Sequence, residues 1–185
     1  MCIRDRGLGN GLSVSALVGK RELMELGGIQ HKKERVFLLS LTHGAETHNL
    51  AGALEVMRIY RKEPVVETLW RQGQRLRDGV NESIQKHGLA GFFEVIGKPC
   101  CLVYATRDSS KQPSQSFRTL FLQETIKRGV LAPSFVVSYS HSNSDIDRTI
   151  EVVDEALSVY RKALDDGVDK YLVGRPVKPV YRKFC

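Results

Sequence analysis

Strands alternating with helices predict an α/β or α+β architecture for this chain of 185 residues. Two observations carry most of that expectation. Val66, Leu69, Gly73, Leu76, Val80 and Ile84, and again Ile146, Ile150, Val153, Leu157, Tyr160 and Leu164, recur at the three-and-four spacing of one buried helix face. Between these stripes, Phe92–Ile96 and Leu102–Thr106 are rich in β-branched and aromatic residues and flank the turn signal Gly97-Lys98-Pro99, as two strands would.

The elements follow in order. Residues 1–6, Met-Cys-Ile-Arg-Asp-Arg, show no periodicity and abut a glycine-rich loop without a structural lead-in, so they read as a non-native leader. After the loop come a short strand (Ser13–Val18), a helix (Lys20–Leu26), a basic polar loop and an apolar strand (Val36–Leu39). A helix from Thr47 to Arg61 carries Leu50, Ala53, Leu54 and Met57 on one face. Pro64 opens the next helix, which runs to about His87. A third lies near Ser114–Arg128 and stops at Gly129, with Val130–Ala132 as a short strand after it. Ser142 or Ser144 caps the last helix, and Asp145 and Asp147 in its first turn complement the helix dipole. The pattern divides the chain at about residue 60. Residues 7–60 look like the remnant of a larger sheet, and 61–168 like a small α+β domain with three strands under three helices. Residues 169–185 read as a basic surface arm.

Composition narrows the function classes. A hydrophobic fraction of 42% and a charged fraction of 26% are those of a folded globular protein. No apolar run approaches the ~18 residues of a membrane span, and the N-terminus has no signal-peptide core, so a cytoplasmic protein is expected. Cys100 and Cys101 are adjacent, while Cys2 and Cys185 lie at the two ends. This is neither metal-ligand spacing nor a disulfide framework. The net charge of +7 is concentrated in residues 170–185, which hold Lys170, Arg175, Lys178, Arg182 and Lys183 and no acid. A basic tail on a nearly neutral body argues for a solvated terminus rather than a nucleic-acid surface.

Two segments have the makings of a site. Gly7-Leu8-Gly9-Asn10-Gly11 permits positive φ and close backbone approach, yet lacks the Gly-Lys-Ser/Thr of a phosphate loop and the spacing of a dinucleotide fingerprint. Thr42-His43-Gly44-Ala45-Glu46-Thr47-His48 joins a strand to a helix, where backbone N–H groups can hold a phosphate. The bland alternative is an ordinary helix start capped by Thr42 or Thr47. His43 and His48 are five apart, ~140° around a helix, so no metal site is expected.

These residues resemble the class III aminotransferase family, which uses pyridoxal 5'-phosphate (PLP). Gly9-Asn10-Gly11 followed by Ser15-Ala16-Leu17-Val18-Gly19 resembles the family's segment after its cofactor-binding lysine. Thr42-His43-Gly44-Ala45 resembles its downstream Thr-x-Gly-Gly loop. Gly129-Val130-Leu131-Ala132-Pro133-Ser134, Ser140-His141-Ser142 and Asp145-Ile146-Asp147-Arg148-Thr149-Ile150 resemble the C-terminal signature of glutamate-1-semialdehyde aminomutases. The likeness runs from about residue 7 to 165. It implies the C-terminal part of a fold type I PLP transferase: a remnant of the PLP-binding large domain and a small C-terminal domain. It implies a homodimer in which Thr42, with Gly44 beside it, holds the cofactor phosphate across the interface. Gly9, Asn10 and Gly11 shape the loop, and His43 and Glu46 lie toward the substrate, a small amino donor or acceptor.

Two departures qualify this. Arg6 stands where the family has its lysine, and a guanidinium that stays protonated cannot form the Schiff base, so no catalytic residue is expected and the chain as given is expected to be inactive. From Ser134 to Ser140 the chain also carries no acid where the aminomutases have a glutamate, which favours a general aminotransferase over the mutase reaction. A PLP decarboxylase or racemase of the same fold, or a basic non-catalytic interaction domain, stays open.

Overall fold

The computed structural model describes residues 3–5, 8–28, 30–32, 34 and 46–178. The expected strand Val36–Leu39 and the candidate residues Arg6, Thr42, His43 and Gly44 lie outside the described residues. The chain forms two compact units, Met1–Val65 and Val66–Cys185.

In the first unit, β1 (Ile3–Asp5) pairs antiparallel with β2 (Ala16–Val18), Ile3 opposite Val18 and Asp5 opposite Ala16. Residues 3–5, read from the sequence as part of a leader, form a strand here; three residues are too short to show a period. A single turn, α1 (Arg21–Met24), continues as a 3-10 turn over Glu25–Gly27. The helix expected from Thr47 is α2 (Thr47–Lys62). Only part of its apolar face is covered, however. Asn49 and Ala53 are buried, whereas Leu50, Leu54 and Met57 are 45%, 52% and 40% exposed. Helical period decides which residues share a face, but not what packs against it.

The second unit holds the main core. α3 (Val65–Lys86) turns Leu76, Val80 and Ile84 inward, and Val66, expected in the same stripe, is exposed. Thr68 and Gln72 are buried about two turns and one turn before Leu76, so the stripe becomes polar toward the helix start. β3 (Phe93–Lys98) and β4 (Cys101–Thr106) form an antiparallel hairpin in which Lys98 faces Cys101 across the turn residues Pro99 and Cys100. α4 (Gln115–Lys127) starts at Ser114, whose Oγ accepts the Phe117 N–H, and α5 (Asn143–Asp166) supplies the longest buried face. Phe93, Tyr104, Phe121, Phe135 and Tyr160 pack ring to ring at the centre.

The expected third strand at Val130–Ala132 does not form. α4 ends in a Schellman turn: Gly129, at φ 83°, donates to Ile126, and the Val130 N–H returns 3.0 Å to the Thr125 carbonyl. That amide is thereby committed and Pro133 has none, so no ladder can run through the segment. Pairing resumes at one bridge, Phe135 N–H to Leu102 O at 3.0 Å. The sheet has two strands, not three.

Two charged and polar links tie the helices together. Glu124, 5% exposed, accepts from Lys127 Nζ (2.8 Å), Arg128 Nη1 (2.8 Å) and Gln123 Nε2 (2.9 Å). Arg128 also reaches Glu155 on α5 at 2.5 Å. Gln123 further donates to Tyr171 O (2.9 Å) and accepts from Val173 N (2.8 Å), and Thr119 Oγ1 accepts from Val177 N (2.9 Å). Residues 171–177 are thus laid along the surface of α4 by specific bonds, with Val173 82% exposed.

Two outcomes test this packing. A Cβ on Gly73 would overlap the Pro99 carbonyl, a backbone atom that has no rotamer to escape into. Gly→Ala inside an ordinary helix gains about 1 kcal/mol. Gly73→Ala should instead lose about 1–3 kcal/mol in urea unfolding, the cost of overpacking. The second outcome concerns acid. Desolvation raises the Glu124 pKa, but hydrogen bonds from Lys127, Arg128 and Gln123 outweigh it and bring it down to about 2 from 4.5. A depressed carboxylate stabilises the fold above its unfolded pKa and loses that contribution as pH falls through the folded one. Wild type should therefore lose stability between about pH 4.5 and 2, and Glu124→Gln should flatten that limb while lowering stability at neutral pH.

Candidate functional site

The glycine loop is a turn that closes on itself. Leu12 N–H donates to Gly9 O at 3.1 Å and Val14 N–H to Leu12 O at 2.8 Å. Gly9 is buried, and a Cβ there would overlap the Leu12 carbonyl and lie 2.5 Å from Val14 Cγ1. Asn10 (φ 44°) and Gly11 (φ 105°) take the left-handed conformations that make the reversal possible; Asn tolerates this region better than most side chains. Leu12, at the end of the turn, seats on Gly52 of α2, where a Cβ would overlap its Cδ1.

That contact brings the turn onto the helix that follows the Thr42 segment. Gly52 lies six residues from Glu46, ~9 Å along the helix at 1.5 Å per residue. Glu46 is the N-cap of α2 (φ −60°, ψ 130°), so neither Thr42 nor Thr47 caps this helix, and Thr47 is its first helical residue. The Glu46 carboxylate accepts from Asn49 Nδ2 at 2.7 Å and stands 3.6 Å from His48 Nε2. It serves the start of its own helix.

The segment 129–149 is held in part by side chains that the sequence did not single out. The Tyr104 hydroxyl donates to Ala132 O at 2.7 Å. Burial pushes its pKa up to about 12 against the opposing field of Arg118, so it stays a donor. Arg118 Nη2 donates to Pro133 O at 2.8 Å, and its guanidinium carbon lies 4.9 Å from the centre of the Tyr104 ring. Downstream, Ser142 and Asp145 close a reciprocal capping box (Asp145 N–H to Ser142 Oγ 3.2 Å, Ser142 N–H to Asp145 Oδ2 2.8 Å). Gln72 donates from α3 to His141 O (3.2 Å) and Asn143 Oδ1 (3.0 Å), and Arg75 grips Asp147 with two 2.8 Å bonds. Asp147 is thus an interhelix partner rather than a first-turn charge. No spacing in the sequence signals Arg118, Tyr104 or Gln72, because each acts on a residue far from it along the chain.

Among the described residues no group of three or more His, Cys, Asp or Glu side chains could hold a metal, and no helix is long and apolar enough to cross a membrane. Cys100 and Cys101 are free thiols.

This arrangement is that of known structures. The FumI protein of Sphingopyxis sp. MTA144, in its PLP internal aldimine form, superposes with a TM-score of 0.68 at 25% identity over 86% of this chain and 36% of its own. An omega-transaminase from Sphaerobacter thermophilus matches at a TM-score of 0.66 and 20% identity, over 83% of this chain and 37% of its own. The fold is therefore part of the α/β fold of PLP-dependent transaminases. Among sequence relatives, a glutamate-1-semialdehyde 2,1-aminomutase of Akkermansia muciniphila is 28% identical over 165 residues, 82% of this chain. A 3-aminobutyryl-CoA aminotransferase of Cloacimonas acidaminovorans is 22% identical over 162 residues, 86% of this chain. The chain is thus a relative of the aminomutases and aminotransferases, and it spans about 37% of the length of these two curated relatives. No family model matches the chain.

Proposed function

We propose that the chain is the C-terminal part of a PLP-dependent aminotransferase or aminomutase that acts in the cytoplasm as a homodimer on a small amino donor or acceptor. The observation that carries this reading is the joint match to transaminase structures and aminomutase sequences over more than four fifths of the chain. When bound, the cofactor supplies an electron sink for moving an amino group.

Of the residues proposed to hold or flank the group, Gly9, Asn10, Gly11 and Glu46 are described. The amides of Leu12 and Val14 are spent inside the turn, and Gly9, Asn10 and Gly11 contribute a tight reversal beside α2. The donors come from the Thr42 hydroxyl and from backbone N–H groups around Gly44, at the entry to α2. With Glu46 as the N-cap, the competing role of Thr42 as cap of this helix falls away. His43 and Glu46 stand on the substrate side, the Glu46 carboxylate already held by Asn49. Arg6 carries no nucleophilic amine, so chemistry needs a lysine that this chain does not present at that position.

Three measurements test the proposal. The genomic reading frame upstream of Gly7 should encode a lysine two residues before the codon for Leu8, following a strand-like segment; a frame with neither would overturn the assignment. Mixed with PLP, the 185-residue chain should give no borohydride-reducible adduct confined to one residue, and a single site of modification would count against the role of Arg6. In the full-length dimer, Thr42→Val keeps the shape and removes a charge-assisted donor worth ~1.5–3 kcal/mol. PLP should then dissociate roughly ten- to a hundredfold more readily. An unchanged dissociation constant would remove Thr42 from the phosphate site.

A further inference from the structure

The turn of the β3–β4 hairpin carries two adjacent thiols that the proposed cofactor chemistry leaves aside. Cys100 and Cys101 are free, Cys101 exposed and Cys100 half-buried. Lys98 pairs with Cys101 across the turn, so Pro99 and Cys100 are its two central residues. Pro99 cannot take a positive φ, and Cys100 is not among the described non-glycine residues that do. Of the common hydrogen-bonded reversals this leaves type I, which favours proline at its second position. The third residue of such a turn has ψ near about 0° and is not extended. The strand rule that sends successive side chains to opposite faces therefore does not separate Cys100 from Cys101.

The turn is also pinned. A Cβ on Gly73 would overlap the Pro99 carbonyl, so α3 runs directly against the turn. Arg77, one helical turn further on, donates from Nη2 to Gly97 O. Two thiols on one fixed reversal are placed to act together, but not to join. Adjacent Cα atoms across a trans peptide lie about 3.8 Å apart, below the roughly 4.4–6.8 Å that disulfides usually span. A third atom bonded to both sulfurs removes the need for direct S–S contact. On the outward face, Cys101 is followed by Val103, whose partner across the hairpin is Ile96; these two are 46% and 43% exposed. An organic group carried by the bridging atom has an apolar surface beside the sulfur.

We propose that Cys100 and Cys101 form a dithiol site for a trivalent organic arsenoxide, R–As=O, whose organic group R lies over Ile96 and Val103. Arsenic in this class has one bond to carbon and two valences to exchange, which matches two thiols. Among the described residues no further His, Cys, Asp or Glu joins them to make a metal-holding group of three. In the reaction two As–S bonds form and the As=O bond breaks. The oxygen takes both thiol protons and leaves as water, and arsenic stays trivalent, so no oxidant takes part. The site makes no use of the aminotransferase reading.

The test titrates the reduced 185-residue chain with phenylarsine oxide and follows intact mass together with alkylation mapped to each cysteine. One phenylarsenic group should bind and protect Cys100 and Cys101 together. Ethanedithiol should release it, and mercaptoethanol at the same thiol concentration should not. Cys100→Ser and Cys101→Ser should each weaken binding at least about a hundredfold, because the second thiol acts intramolecularly at high effective concentration. Circular dichroism melts check that each variant is folded, and the contrast between dithiol and monothiol release reads the bridge in the wild-type chain itself. Ile96→Ser should weaken phenylarsine oxide roughly threefold or more and leave methylarsine oxide unchanged, since only the phenyl group is large enough to cover that side chain. Alkylation that still reaches either thiol in the loaded chain overturns the proposal. So does a folded serine variant that binds like wild type, or release by monothiol as ready as by dithiol. Equal effects of Ile96→Ser on the two arsenoxides would overturn the placement of R. Each of these failures leaves the PLP reading standing.

Discussion

The second unit is organised around the Phe93 ring. It lies at the start of the hairpin, 1% exposed, and contacts Phe121 of α4 at 4.8 Å, Tyr104 of β4 at 5.3 Å and Tyr160 of α5 at 5.9 Å edge-on. A two-stranded hairpin is marginal by itself in water. Here its inward face is apolar and aromatic, and two helices close over it. Aromatic pairs at these distances add to the area they bury, because the positive edge of one ring meets the negative face of another.

Burying tyrosines in such a cluster requires partners for their hydroxyls, and those partners set the loops. Tyr160 OH donates to Arg107 O at 2.6 Å and accepts from Arg107 N–H at 3.0 Å, which fixes the exit of the hairpin. Tyr104 OH does the same for Ala132, and Arg118 then stacks on that ring and holds Pro133. The segment 129–134 is therefore positioned without a strand of its own. Its backbone is anchored by a Schellman turn on one side, two side-chain donors in the middle and the Phe135 bridge on the other. A loop fixed in this way can present side chains such as Leu131 to solvent without losing its shape.

The first unit is built on different terms. Its contacts depend on small residues: Gly9 folded against Leu12 and Val14, and Gly52 accommodating Leu12. Leu50, Leu54 and Met57 remain exposed on α2. The likeness to PLP transaminases covers little more than a third of each of those chains. The proposed cofactor residues also fall in this unit, which among the described residues has fewer buried side chains than the second.

Helix identity and extent were legible from the sequence because local chemistry decides them. The apolar period marked α3 and α5, a serine at 142 or 144 was the expected cap of α5, where Ser142 takes the role, and Gly129 ended α4. The hairpin was legible from β-branched runs about a turn, and the relation to aminotransferases from ordered segments such as 129–134 and 145–150. Tertiary structure alone decided the rest. Val130–Ala132 has the composition of a strand but spends its amide on the helix before it. Leu50 and Leu54 share a helical face and are about half exposed, while Asn49 on the neighbouring face is buried. Asp147 looks like a dipole charge until Arg75, 72 residues away, is found gripping it. Arg118 has no motif at all; its bond to Pro133 O and its place on the Tyr104 ring depend on residues far from it along the chain. Periodicity and capping act within one turn of chain, whereas what covers a face or neutralises a charge depends on contacts between residues far apart in sequence.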